Sequence, residues 1–211
     1  MSDSRSVSGA EKETARVEAF SDGVFAIAIT LLILELKVPS GLDEHGLRSA
    51  LEAEWPSYAA LLVSFATIGI MWVNHHRLFN LVHRVDHTLL LLNGLLLLGV
   101  TVVPFPTALV ADYMGRGGAR LAAAVYSGWF IVIAIAFNLL WRYLASPARQ
   151  PPLLKVSLES PEVRAIHAAY RVAPLWYVIA FALSFWLPVA SVAVCGALAL
   201  FFALPPRHAG G

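Results

Sequence analysis

Residues 16–39 read RVEAFSDGVFAIAITLLILELKVP, from Arg16 to Pro39. An arginine, a glutamate and an aspartate open a run that is otherwise long and apolar enough to cross a bilayer, whose hydrocarbon core of about 30 Å takes about 20 mostly apolar helical residues. The rest of the chain repeats that character. Of its 211 residues 58% are hydrophobic and 14% charged, and the mean hydropathy is +0.69, whereas a soluble domain carries roughly a quarter charged residues. The fold class is an all-α membrane protein. With a formal net charge of +1 and its 15 Lys and Arg scattered over short polar segments, the chain lacks the concentrated basic surface that phosphate backbones need, which excludes a nucleic-acid partner. Its single cysteine, Cys195, lies in an apolar run and cannot form an internal disulfide.

Four runs have the length of a span, at about 16–38, 56–78, 88–110 and 121–143. The apolar stretch from Val172 to Leu204 would extend about 50 Å as one helix, more than the membrane thickness. Pro188 divides it, so the expected fifth and sixth spans are 166–187 and 189–204. Residues 1–15, polar and small, are expected as a mobile cytoplasmic tail, and 205–211 as a second one. The apolar run after the first tail is too long for a signal-peptide core.

Charge asymmetry agrees with six spans. With the N-terminus inside, the cytoplasmic segments hold Arg5, Lys12, Arg16, Arg77, Arg84, Arg142, Arg149, Lys155, Arg164, Arg171 and Arg207, against Lys37, Arg48, Arg116 and Arg120 outside. That distribution follows the positive-inside tendency and puts both termini in the cytoplasm, in a multi-pass inner (plasma) membrane protein. The first outer loop, SGLDEHGLRSALEAE, is acidic and moderately helical in composition. The longest polar connection, Ala145 to about Arg171, is too short for a soluble domain, and its RQPP and SPE segments are turn and helix-start signals.

On a helix stepping 100° per residue, Phe20, Val24, Leu31 and Leu34 fall within about 60° of Ile27 and form one apolar stripe. Such stripes on membrane helices are far more often packing faces than pore walls. Asp22 lies about 140° from Ile27, so a helix that turns Ile27 to a central axis turns its aspartate toward neighbouring helices. Thr30 sits about 60° off the stripe, where its hydroxyl reaches either a lumen or the carbonyl four residues back. An intramembrane carboxylate needs a partner, and Arg16, six residues away, has the wrong spacing. The second span supplies donors in MWVNHHRLFN, where Trp72, Asn74, His75 and His76 share the depth of Asp22 if the two helices are antiparallel. His83 and His87, four apart, join His75, His76 and Asp86 as a conceivable metal cluster. No HExxH or ExxH pattern accompanies them, so no metal and no cofactor is expected.

RVEAFSDGVFAIAITLLILELKVP resembles the opening helix of the transmembrane protein 175 family of potassium-permeable channels. Arg16, Phe20, Ser21 and Asp22 match its Arg-x-x-x-Phe-Ser-Asp signature, and WVNHHRLF and VPFPTALVADY are supporting matches. The resemblance implies a homotetramer with four first helices around the axis and no TVGYG-type filter. It further implies an apolar constriction at Ile27, Leu31 and Leu34, and a threonine layer, credited with part of the potassium preference, at Thr30. Arg16, Phe20, Ser21 and Asp22, with Trp72, His75 and His76, would then hold the first helix at its angle.

A ring of isoleucines offers a cation no ligand, so conduction requires a wetted, dilated ring, and the pore closes when water is expelled. Potassium is then a passive permeant, moderately preferred, and the chain is not an enzyme. Two other readings compete with this one. One is a membrane-embedded metal or haem enzyme using His75, His76, His83 and His87. The other is a secondary transporter, although Pro104 and Pro106 have no counterpart in a second half.

Overall fold

The computed structural model describes residues 2–148 and 152–203. Its elements run α1 (Ser2–Leu31), a 3₁₀ turn (Leu32–Glu35), α2 (Glu44–Ala53), α3 (Trp55–Asn80), α4 (His87–Val102), α5 (Pro104–Tyr113), α6 (Ala119–Leu144), α7 (Pro161–Ser184) and α8 (Pro188–Ala203). Local chemistry sets the boundaries. Pro104 lacks an N–H and clashes with the preceding turn, so α4 ends at Val102 and α5 begins there, within one apolar segment from His87 to Tyr113. Asp86 caps α4 by accepting from the Leu89 N–H and also accepts from the Tyr143 hydroxyl at 2.8 Å. Ser160 caps α7 by accepting from the Val163 N–H, with Pro161 in the first turn, where its missing donor costs nothing.

Five helical segments are long and apolar enough to cross a membrane: Lys12–Glu35, Trp55–Asn80, His87–Tyr113, Ala119–Leu144 and Pro161–Ser184. The stretch expected to divide at Pro188 breaks between Ser184 and Pro188, and α8 beyond the break is shorter than the other spans. The 16 residues of α8 extend about 24 Å, less than the hydrocarbon thickness. Two helices start earlier than the composition predicts. From Ser2 onward the segment expected as a tail continues α1, and α7 starts at Pro161 rather than near 166. The acidic outer loop forms the short helix α2, capped by Asp43. The expected tail at 205–211 lies outside the described residues.

Packing centres on α6, which lies against α7, α4, α5 and α8, while α1 rests on α3 and α4. Tyr126, Phe130, Leu140 and Trp141 of α6 are almost wholly buried and share one core with Ile68, Phe79, Leu89, Leu96 and Val100. Between membrane helices close approach and interhelical hydrogen bonds substitute for hydrophobic drive, and both occur here. Gly99 lets α4 approach α6, since a Cβ at that position would lie 3.1 Å from Ile133 Cγ1. The Trp129 indole donates to the Gly99 carbonyl at 2.8 Å. Ser64 Oγ lies 2.8 Å from Thr107 Oγ1 and 3.0 Å from the Tyr126 hydroxyl, which joins α3, α5 and α6.

Each end of the bundle is fastened. At one end Val82 pairs with Leu154 as an isolated bridge, with His83 N–H on Leu153 and Lys155 N–H on Leu81. At the other, Lys37 Nζ meets Asp112 Oδ1 at 2.7 Å and ties the end of the first span to α5. The hydrogen bond and charge of Asp112 raise the Lys37 pKa above its ordinary value. Any stability this pair contributes is therefore present through neutral pH and is lost as pH rises through that raised value.

Candidate pore-lining helix and its support

α1 has two unlike faces. Ser21, Phe25, Ala28 and Leu32, separated by four, three and four residues, are buried and turn toward α3 and α4. The Ile27 stripe lies on the opposite side, with Phe20, Ile27 and Leu34 exposed to 67%, 60% and 71% and Leu31 to 38%. Val24, the remaining member of the stripe, is half-buried and packs against the core, and Leu31 is partly covered. Thr30 is exposed beside the stripe, and its hydroxyl donates to the Ile27 carbonyl at 2.9 Å, three residues back rather than four. Its proton is thus engaged inside the helix, and its remaining lone pairs point outward as acceptors. The helix tightens to 3₁₀ geometry at Leu32–Glu35, a form common at helix ends and hinges.

The supporting face is joined to α3 by two rungs. Trp72 Nε1 donates to Asp22 Oδ1 at 2.8 Å. One turn along, His76 Nδ1 stands 2.7 Å from Glu18 Oε1, close enough for a charge pair once the imidazole is protonated but not aligned as a hydrogen bond. Glu18 and Asp22 are four apart on α1, and Trp72 and His76 four apart on α3, so antiparallel helices stack one rung above the other. Of the four candidate donors to Asp22, then, only Trp72 reaches it.

His75 does something different. It is 0% exposed, stacked on Phe79 at a ring separation of 4.3 Å and tilted against Phe25. Its Nε2 lies 2.9 Å from Asn93 Oδ1, Asn93 Nδ2 donates to Ser21 Oγ at 3.0 Å, and Ser21 donates to the Val17 carbonyl. Because Asn93 Oδ1 only accepts, the network assigns the ring proton to Nε2. Nδ1 is left as a buried acceptor with no hydrogen-bond partner. This chain crosses from α3 through α4 to α1 and is the second fastening of the first helix.

Two members of these networks, Glu18 and Asn93, were missed by sequence reasoning. Each left a signal: Glu18 stands one helical turn before Asp22, and Asn93 is a lone amide inside LLLLNGLLLLG. A solitary amide in a membrane helix needs a partner. Arg16 is exposed and has no hydrogen bond or ion pair among the described residues. The histidines do not assemble: His87 is exposed at the start of α4, and among the described residues no three His, Cys, Asp or Glu side chains form a metal-holding group.

Long apolar helices joined by buried polar contacts define a multi-pass membrane protein. Comparison with known proteins gives its family. The model of the family described as endosomal/lysosomal potassium channel TMEM175 matches residues 16–104. A potassium channel of Chamaesiphon minutus is 55% identical over 196 residues, covering 92% of this chain and 95% of the relative, and one of Streptomyces collinus is 48% identical over 191 residues, covering 90% and 91%. The crystal structure of a lysosomal potassium-selective channel TMEM175 homolog from Chamaesiphon minutus superposes with a TM-score of 0.82 at 54% identity, covering 91% of this chain and 97% of that one. The chain belongs to the TMEM175 family. Membership in a channel family does not favour the enzyme and transporter readings.

Proposed function

We propose that this protein is a potassium-permeable channel of the inner membrane, a homotetramer whose four α1 helices surround the conduction path. The observation that carries the reading is the contrast between the faces of α1. One face is fastened by Trp72, His75 and Asn93, while Phe20, Ile27 and Leu34 are largely exposed and Leu31 partly so. Four such stripes around an axis make apolar layers at Ile27, Leu31 and Leu34, which close by expelling water and open when the helices tilt apart. Thr30 supplies the nearest oxygens to a passing ion, because its hydroxyl proton is held by the Ile27 carbonyl. A single layer of flexible hydroxyls discriminates potassium from sodium only moderately. Ser21, Asp22, Trp72, His75 and His76 position the helix rather than touch the ion; Arg16, which has no partner among the described residues, and Phe20, which lies on the open stripe, do not share that role.

In this reading α8 is the sixth span, and a local thinning of the bilayer accommodates its length. Both termini then lie in the cytoplasm. The test is efflux from proteoliposomes loaded with potassium. Passive potassium flux down its gradient, with no counter-ion exchanged in fixed ratio, is expected; no flux, or a fixed exchange ratio, contradicts the proposal.

A further inference from the structure

Away from α1, a cavity opens among α3, α6, α7 and α8. It has about 510 Å³ of unfilled space, its open side included, whereas a water molecule takes roughly 30 Å³ in the liquid. Ile133, Ala134, Phe137, Ala199 and Phe202 make most of the wall apolar. Five polar side chains interrupt it, those of Thr67, Asn74, Asn138, Tyr170 and Tyr177. Thr67 donates to the Val63 carbonyl and Asn138 uses only its Nδ2, on the Ala134 carbonyl, while Asn74, Tyr170 and Tyr177 have no hydrogen-bond partner among the described residues. Polar groups at membrane depth without protein partners are costly unless something else satisfies them.

Three basic side chains stand one turn beyond lining residues, toward one end of the bundle. Arg77 lies three residues beyond Asn74 on α3, and Arg142 four beyond Asn138 on α6, so each stands one turn further toward the bundle end on the face that carries its amide. Arg77 is close enough to act electrostatically on Tyr170. On α7, His167 stands one turn out from Tyr170, and its Nδ1 accepts from the Trp141 indole at 3.4 Å. Its Nε2–H is thereby left as a donor. All three are exposed, on three different helices.

We propose that this cavity is a binding site for an anionic phospholipid of the surrounding leaflet. The phosphate sits between Arg77, Arg142 and His167, the glycerol-ester oxygens accept from Asn74, Tyr170 and Tyr177, and the start of an acyl chain lies on Phe137, Ile133 and Ala199. Charge complementarity selects the occupant. A water-filled cavity would not need the cationic rim, and a zwitterionic lipid would bring a choline ammonium up against two guanidinium groups. The inference uses the membrane setting of the chain and not its conduction, so the outcome of a flux assay leaves it untouched.

Native mass spectrometry of the intact assembly in mixed micelles of phosphatidylglycerol and phosphatidylcholine tests it. Retention of phosphatidylglycerol over phosphatidylcholine is expected. The double variant Arg77→Gln/Arg142→Gln should lose most of that preference, roughly thirtyfold for two basic residues each acting on an anionic headgroup. A second variant, Ala134→Phe, fills the cavity and should lower retention of both lipids while the rim stays intact; thermal melting in detergent confirms that each variant is folded. Equal retention of the two lipids by the unmodified protein overturns the proposal. So does a preference that survives both the charge variant and the filling variant, as does a cavity that retains only water or detergent.

Discussion

The two faces of α1 differ in how their requirements are met. Toward α3 and α4 the helix presents Glu18, Ser21 and Asp22, and partners from two neighbouring helices meet them within 3.0 Å. On its other side Phe20, Ile27 and Leu34 are left largely open by the described residues of its own chain, and Leu31 partly so. Hydrogen bonds on the first face fix the rotation of the helix, and that rotation decides what the second face offers. On the proposed function, Ser21 and Asp22 therefore act on permeation at a distance, by aiming Ile27.

Changes to the open face should alter conduction with little effect on folding, and changes to the fastened face the reverse. The largest effect is expected from Ile27→Asn, which would wet the proposed constriction: potassium efflux from proteoliposomes should rise on the order of tenfold, with the assembly unchanged by size-exclusion chromatography. Unchanged flux would remove Ile27 from the constriction. Asn93→Leu comes next, because it strands His75 Nε2 and cuts the link from α4 to Ser21. A loss of about 1–3 kcal/mol is expected, read as a lower melting temperature in detergent, and a variant that melts like the parent would show the buried chain to be dispensable.

Asp22→Ala removes one interhelical hydrogen bond, worth about 0.6–2 kcal/mol in membranes. Yield of assembled protein should fall while the potassium-to-sodium ratio of the surviving channels holds. Normal assembly with lost selectivity would put Asp22 in the pore and reverse the orientation of the helix. The smallest effect belongs to Lys37→Met, since both members of the Lys37–Asp112 pair are well exposed and exposed pairs contribute little. No measurable change in melting at neutral pH is expected, and a clear drop would mean that this end of α1 is held more firmly than its exposure suggests.

Much of this arrangement was legible in the residues. Spacing alone put Ile27, Leu31 and Leu34 on one side of a helix and Asp22 on the other, and depth matching brought the second span to Asp22. Pro188 is legible as the divider of the last apolar stretch, whereas the break at Pro104 inside the expected third span is not, because a proline can also sit within a helix, as Pro174 does in α7. The features that remained hidden have physical causes. Helical residues outside the hydrocarbon carry polar side chains, so composition placed the start of α1 at Arg16 and of α7 near 166, although the helices begin at Ser2 and Pro161. Which of Trp72, His75 and His76 meets Asp22 depends on helix rotation to within a fraction of a turn, and periodicity does not resolve that. The cavity beneath Arg77 and Arg142 arises only where four separate helices meet.

Cysteine accessibility tests the central claim most directly, because the one native thiol, Cys195, is buried. A water-soluble, membrane-impermeant thiol reagent should block potassium flux through Ile27→Cys and Leu34→Cys channels. It should leave Leu62→Cys and Leu95→Cys channels untouched, although those side chains are also exposed on the isolated chain. Block at Leu62 or Leu95 with none at Ile27 and Leu34 would mean that the conduction path runs along another surface and that α1 does not line it.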